Sequence, residues 1–175
     1  MRIYLIGYMA SGKSNLGSQL AERLGFQFVD LDDLFEERYR ISVGDFFKKY
    51  DEPAFRRIER SLLLETTTLD RIVIATGGGT PCHFDNMDVI RRAGLSVYLR
   101  WDVSILALRL VLVKRKRPLL KDVDPAALEA RIKRDLQVRE PIYLQADLVA
   151  EGDTLSLPSL YEMIREQINL RDPAG

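Results

Sequence analysis

Residues 7–14 read Gly-Tyr-Met-Ala-Ser-Gly-Lys-Ser, a complete G-x-x-x-x-G-K-[ST] phosphate-binding loop. Its flanks constrain the fold more than any other feature of the chain. The apolar run Ile3–Ile6 before it has the length of a buried strand, and Leu16, Leu20, Ala21 and Leu24 after it recur at helical spacing. A strand, a glycine-rich turn and a helix in that order wrap backbone N–H groups and a helix N-terminus around phosphates. Ala10, Ser11, Gly12, Lys13, Ser14 and Asn15 are therefore the candidate nucleotide contacts. Lys13 would reach the β- and γ-phosphates, and the Ser14 hydroxyl would hold Mg2+. A chance glycine-rich turn would not need both flanks.

Length and charge narrow the rest. The 175 residues fit one domain, large enough to bury a core without disulfides. Lys and Arg together number 26, as do Asp and Glu, so no global field favours nucleic acid or membrane, and neither is expected as a partner. A single cysteine, Cys82, suits a reducing cytoplasm, the expected location. The apolar start of the chain resembles a signal peptide, but it is strand-length and runs into the phosphate loop. The longest later apolar stretch, residues 104–113, contains Arg109 and is too short to span a bilayer.

Strand and helix patterns then alternate. Strands are expected at Gln27–Val29, Arg71–Ala75, Leu95–Leu99 and Ala146–Ala150. Helices are expected over Leu34–Tyr39, around Val43–Phe47, from about Pro53, over Asp85–Ala93, Val103–Val113, Pro125–Val138 and Leu157–Asn169. The basic run Lys114–Arg117 is expected to break the helix before it. This alternation implies an α/β fold with a parallel sheet covered on both faces, whose ligands bind beyond the carboxyl ends of the strands. The phosphate loop, Asp30–Asp33 and Gly77–Gly79 all fall at those ends.

Each segment has a chemical reading beside a plainer one. Asp30 and Asp32 follow a strand, and an extended backbone would point both the same way, one to a metal and one to an acceptor hydroxyl. The plainer reading is that Asp32 or Asp33 caps the next helix. Gly77, Gly78 and Gly79 permit close backbone approach or positive φ, or make an ordinary turn. Arg56 is either a carboxylate clamp or a solvated helix residue. The basic run Lys114–Arg117 is better suited to a lid over phosphates, which would bring Arg117 to the transferring group, than to a nucleic-acid patch. Cys82 and His83 are expected to be structural, and Trp101 to pack at a strand end.

Taken in order, the loop at Gly7–Ser14, Asp30-Leu31-Asp32, Phe55-Arg56-Arg57-Ile58-Glu59, Thr76-Gly77-Gly78-Gly79, Arg117-Pro118-Leu119-Leu120 and Arg139-Glu140-Pro141-Ile142-Tyr143 resemble the shikimate kinase family over nearly the whole chain. The resemblance implies a three-layer P-loop kinase fold of the nucleoside-monophosphate-kinase type: a five-stranded parallel sheet, substrate-binding helices and a mobile lid at about residues 112–124. It implies ATP and shikimate as partners of a monomer, Mg2+ as cofactor, and shikimate 3-phosphate and ADP as products on the route to chorismate.

By the same resemblance Asp32 would bind shikimate hydroxyls and activate the attacking one. Arg56 and Arg139 would hold its carboxylate, with Gly77–Gly79 alongside. Lys13 and Arg117 would stabilise the transferring phosphoryl group, Ser14 and Asp30 would hold Mg2+, and Arg109 would lie against adenine. Two departures stand out: Asn15 replaces the usual Thr, and Asp51-Glu52 stands where Gly-Glu is common. A gluconate or nucleotide kinase of the same architecture is one alternative. A nucleotide-dependent switch is another, although the sequence has no Asn-Lys-x-Asp motif and no Asp-x-x-Gly between the phosphate loop and the last strand.

Overall fold

The computed structural model describes residues 1–115 and 125–171. Five strands, β1 (Arg2–Ile6), β2 (Gln27–Asp30), β3 (Ile72–Ala75), β4 (Leu95–Arg100) and β5 (Leu148–Glu151), form one parallel sheet in the order β2-β3-β1-β4-β5. Between them run α1 (Lys13–Leu24), α2 (Leu31–Tyr39), α3 (Val43–Lys49), α4 (Glu52–Thr66), α5 (Asn86–Ala93), α6 (Val103–Arg115) and α7 (Pro125–Tyr143), and α8 (Leu157–Arg171) follows β5.

Strand alternation divides the core into two layers. Ile3, Leu5, Val73, Val97 and Leu99 pack with Leu20 and Ala21 of α1 and with Leu160 and Ile164 of α8. Tyr4, Ile6, Ile72, Ile74 and Tyr98 face the opposite layer, where they meet Leu31, Phe35, Leu62, Leu63, Ile90, Leu106 and Ile132. The inner strands β1, β3 and β4 are buried on both faces, which is why their sequences read as continuous apolar runs, while the edge strands β2 and β5 are only partly covered. The expected three-layer α/β architecture is the observed one.

Several boundaries differ from the sequence reading, three of them for a clear local reason. α2 begins at Leu31, not Leu34, because the Asp30 carboxylate accepts the Asp32 amide N–H at 2.9 Å and caps the helix. α6 continues through Lys114 and Arg115. Lys and Arg are good helix formers, and like-charge neighbours cost only about 0.2–0.5 kcal/mol per pair. The expected lid at about residues 112–124 overlaps the end of α6, and residues 116–124, Arg117 among them, lie outside the described residues. α7 runs past Val138 to Tyr143 with Pro141 inside it. Tyr143 is fully buried, and that burial holds a last turn that proline would otherwise weaken.

Candidate active site

β1 is central, so the turn after it lies between the exits of β3 and β4. The loop is wound through left-handed conformations at Gly7 (φ 146°), Ala10 (φ 63°) and Gly12 (φ 96°). Gly7 must be glycine, since a Cβ there would stand 2.9 Å from the Leu99 carbonyl oxygen. Among the described residues, no side chain caps α1 and no acid occupies its first turn. Its N–H groups and dipole are left for an anion. Ala10, Gly12, Lys13, Ser14 and Asn15 line a cleft of about 500 Å3 with Arg109 and Leu112 of α6.

Lys13 is buried, and its Nζ donates to the carbonyls of Gly7 and Tyr8, both at 2.8 Å. Burial pushes its pKa down to about 8, against the opposing pull of Asp32 and Asp30. The Ser14 hydroxyl donates to Asp30 Oδ2 at 2.5 Å. Asp30 thus serves α2 through one oxygen and Ser14 through the other. These are two hard oxygen donors beside a phosphate cradle, the set Mg2+ accepts from proteins that leave its other positions to water and phosphate.

The sequence reading had an extended chain aiming Asp30 and Asp32 together. The structure corrects this: Asp30 ends β2, while Asp32 lies in the first turn of α2. Asp30 still meets Ser14 of the cleft lining, and Asp32 still lies close enough to Lys13 to feel its charge. Asp32 remains exposed as a residue, yet protein crowds its carboxyl. That burial, reinforced by the Asp30 and Glu59 carboxylates and opposed by Lys13, pushes its pKa up to about 6.

The glycine triplet brings the arginines in. None of Gly77, Gly78 and Gly79 has positive φ, so the triplet serves close approach alone. A Cβ on Gly77 would stand 2.7 Å from Glu59 Oε1 and 3.1 Å from Asp32 Oδ1; on Gly79 it would meet the Arg56 guanidinium at 2.7 Å. Gly78 has Arg139 Nη1 and the Met9 amide for neighbours, and its carbonyl accepts the Tyr143 hydroxyl. Arg139 also lies over the Tyr8 ring at 5.6 Å.

Arg56 is no solvated helix residue. Its Nη1 donates to Glu59 Oε2 at 2.9 Å, and its Nε and Nη2 donate to Glu52 Oε1 at 3.1 and 2.8 Å. Glu59 is buried and also accepts the Thr80 hydroxyl at 2.6 Å. Glu59 was quoted in the motif but given no role. Its three-residue spacing from Arg56 on a helix was the available signal.

Lys13, Ser14, Asp30, Asp32, Arg56, Gly77–Gly79 and Arg139 thus gather at one end of the sheet, with Arg109 across the loop. The Asn15 side chain accepts from Gln19 at 2.7 Å, along its own helix. His83 lies 3.8 Å from Glu52 beside the Arg56 guanidinium, and burial lowers its pKa. Among the described residues no cluster of three or more His, Cys, Asp or Glu forms a metal cage, and no helix is long and apolar enough to cross a membrane.

Fold and site together define a P-loop kinase. The shikimate kinase family profile matches residues 9–169. A shikimate kinase of Parabacteroides distasonis is 41% identical over 88% of this chain and 89% of its own. The crystal structure of shikimate kinase from Bacteroides thetaiotaomicron superposes with a TM-score of 0.88 at 36% identity, covering 97% of this chain and 98% of that one. Shikimate kinase from Acinetobacter baumannii, solved with shikimate, gives 0.84 at 31% identity, over 99% of this chain and 95% of that one. The chain belongs to the shikimate kinase family.

Proposed function

We propose that this chain transfers the γ-phosphoryl group of ATP to the 3-hydroxyl of shikimate, giving shikimate 3-phosphate and ADP on the way to chorismate and the aromatic amino acids. The observation that carries this is the meeting of Asp32, Arg56 and Arg139 around Gly77–Gly79, beside the backbone of the phosphate loop. An acceptor there has two guanidinium groups for its carboxylate and one carboxylate for its hydroxyls.

The chemistry follows from position and charge. Arg56, held in plane by Glu59 and Glu52, and Arg139, resting on Tyr8, fix the shikimate carboxylate. Asp32 takes hydrogen bonds from the ring hydroxyls. With a pKa near 6 it is ionised at neutral pH yet basic enough to accept the attacking hydroxyl's proton as the new O–P bond forms. The bond between the γ-phosphorus and the bridging oxygen of ADP breaks in line with it. Lys13 carries positive charge to the phosphoryl oxygens, and the loop's N–H groups cradle the β-phosphate. Arg117, in the segment outside the described residues, joins Lys13 on the family resemblance alone.

Ser14 and Asp30 are the residues that would hold Mg2+, which supplies charge neutralisation at the phosphates. Arg109, lining the cleft, lies against adenine. A reducing cytoplasm suits Cys82, whose thiol burial pushes up to about 11 and so keeps protonated and inert.

The deciding experiment is ADP release from Mg-ATP with shikimate, gluconate, a nucleoside monophosphate or no acceptor. Turnover with shikimate alone, and a product heavier by one phosphoryl group, establishes the reaction. Turnover with another acceptor reassigns Arg56 and Arg139, and ATP binding without acceptor-dependent turnover removes the kinase reading.

A further inference from the structure

Trp101, the one tryptophan of the chain, directly follows β4 and touches the phosphate loop, Arg109 of the cleft wall and the turn after β5. Its indole N–H donates to the Ser11 carbonyl of the phosphate loop at 2.9 Å. The Arg109 guanidinium lies over the ring at 3.6 Å from its centroid. The ring also rests on Gly152, just after β5, where a Cβ would come within 2.2 Å of it. Trp101 does pack at a strand end, as its position suggested, but that packing places it under functional groups.

Arg109 is a long side chain on α6 with many rotamers. Its Nη1 is 3.5 Å from the Ala10 carbonyl, and it forms a wall of the cleft with Leu112. A guanidinium is flat and has two faces. One is covered by the indole, and a heteroaromatic base entering the cleft would stack on the guanidinium from the other side. An arginine already stacked loses little freedom when the base arrives, whereas an unsupported one must be ordered at the expense of affinity.

We propose that Trp101 is a positioning residue for the nucleotide base: anchored on the Ser11 carbonyl, it fixes the plane of Arg109. The proposal rests on the reading that Arg109 lies against adenine, and the test separates the two.

The experiment uses the full chain with Trp101→Leu, Trp101→Phe, Arg109→Ala and the Trp101→Leu/Arg109→Ala double variant. KM is measured for ATP and for shikimate, together with inhibition by inorganic tripolyphosphate, which has phosphates and no base. Trp101→Leu should raise the ATP KM about tenfold, the scale of one cation–π contact, while the shikimate KM and kcat at saturating ATP stay within about twofold. Trp101→Phe keeps a ring and should lose less.

The double variant should be no worse than Arg109→Ala, because the indole acts through the arginine. If the two losses multiply, or if tripolyphosphate weakens as much as ATP, Trp101 merely braces the loop and the proposal falls. An unchanged ATP KM in Arg109→Ala removes the adenine contact itself, and the proposal with it. The ATP-to-tripolyphosphate ratio in Trp101→Phe stays informative even where Trp101→Leu folds poorly.

Discussion

Glu59, its side chain 4% exposed, grips the Arg56 guanidinium at 2.9 Å from one turn further along the same helix. A buried carboxylate is tolerated only when paired, and here the pairing also fixes the direction of the arginine. On the proposed function, substrate recognition and core integrity share one ion pair.

Arg56→Ala is accordingly expected to do two things. It raises the shikimate KM roughly 10²-fold, as one charge-assisted pair of about 3 kcal/mol would require. It also lowers stability by about 3 kcal/mol, the lower end for removing one partner of a buried pair. Denaturant titration separates the effects: adding Glu59→Gln should restore stability but not KM. An unchanged KM in Arg56→Ala would show that the arginine does not touch the acceptor.

Asp32→Asn should lower kcat by at least about 10²-fold, and wild-type kcat/KM should fall as pH drops through about 6 and Asp32 protonates. The stability effect has the opposite sense. A carboxyl whose folded pKa lies above its ordinary 3.8 makes the fold less stable as pH rises from about 4 to 6. Asp32→Asn should therefore melt higher than wild type at pH 7.5, with the gap closing toward pH 4. Equal melting at both pH values would contradict the crowding of its carboxyl.

How much of this was readable before any coordinates depended on sequence distance. The strand, loop and helix around Lys13 are contiguous, so the motif and its flanks were legible together. Asp30 and Asp32 were visible as a pair, but their relation turns on whether Leu31 is extended or helical, which local composition leaves open. Trp101 and Ser11 are ninety residues apart, and only the pairing of β1 with β4 brings them together. The contact of Glu59 with Thr80 has the same character across twenty-one residues.

Lys13, pushed down to about 8, should reveal itself in the protons exchanged on nucleotide binding. Phosphates favour the charged amine, so at pH 8 binding should take up about half a proton, falling toward none near pH 6.5 where the amine is already charged. Calorimetry in two buffers of different ionisation enthalpy measures this. Lys13→Arg, which cannot titrate, should abolish the uptake; uptake that persists in that variant would place the titrating group elsewhere.

The two duties of Asp30 can also be divided. Asp30→Asn keeps a capping oxygen and removes the charge, so stability should hold while the Mg2+ needed for half-maximal turnover rises about tenfold or more. Asp30→Ala should lose the cap as well, costing about 1 kcal/mol. If Mg2+ dependence is the same in wild type and Asp30→Asn, the carboxylate has no part in holding the metal.

The placement of β1 between β3 and β4 also bears on how the chain emerges from the ribosome. The loop begins at residue 7, yet its bed includes Thr76, whose amide N–H donates to the Leu5 carbonyl, and the Leu99 carbonyl packed under Gly7. A nascent chain carrying the whole motif but only the first seventy residues has neither support. The loop is thus made before the strands that support it, and its bed is complete only once β3 and β4 have followed.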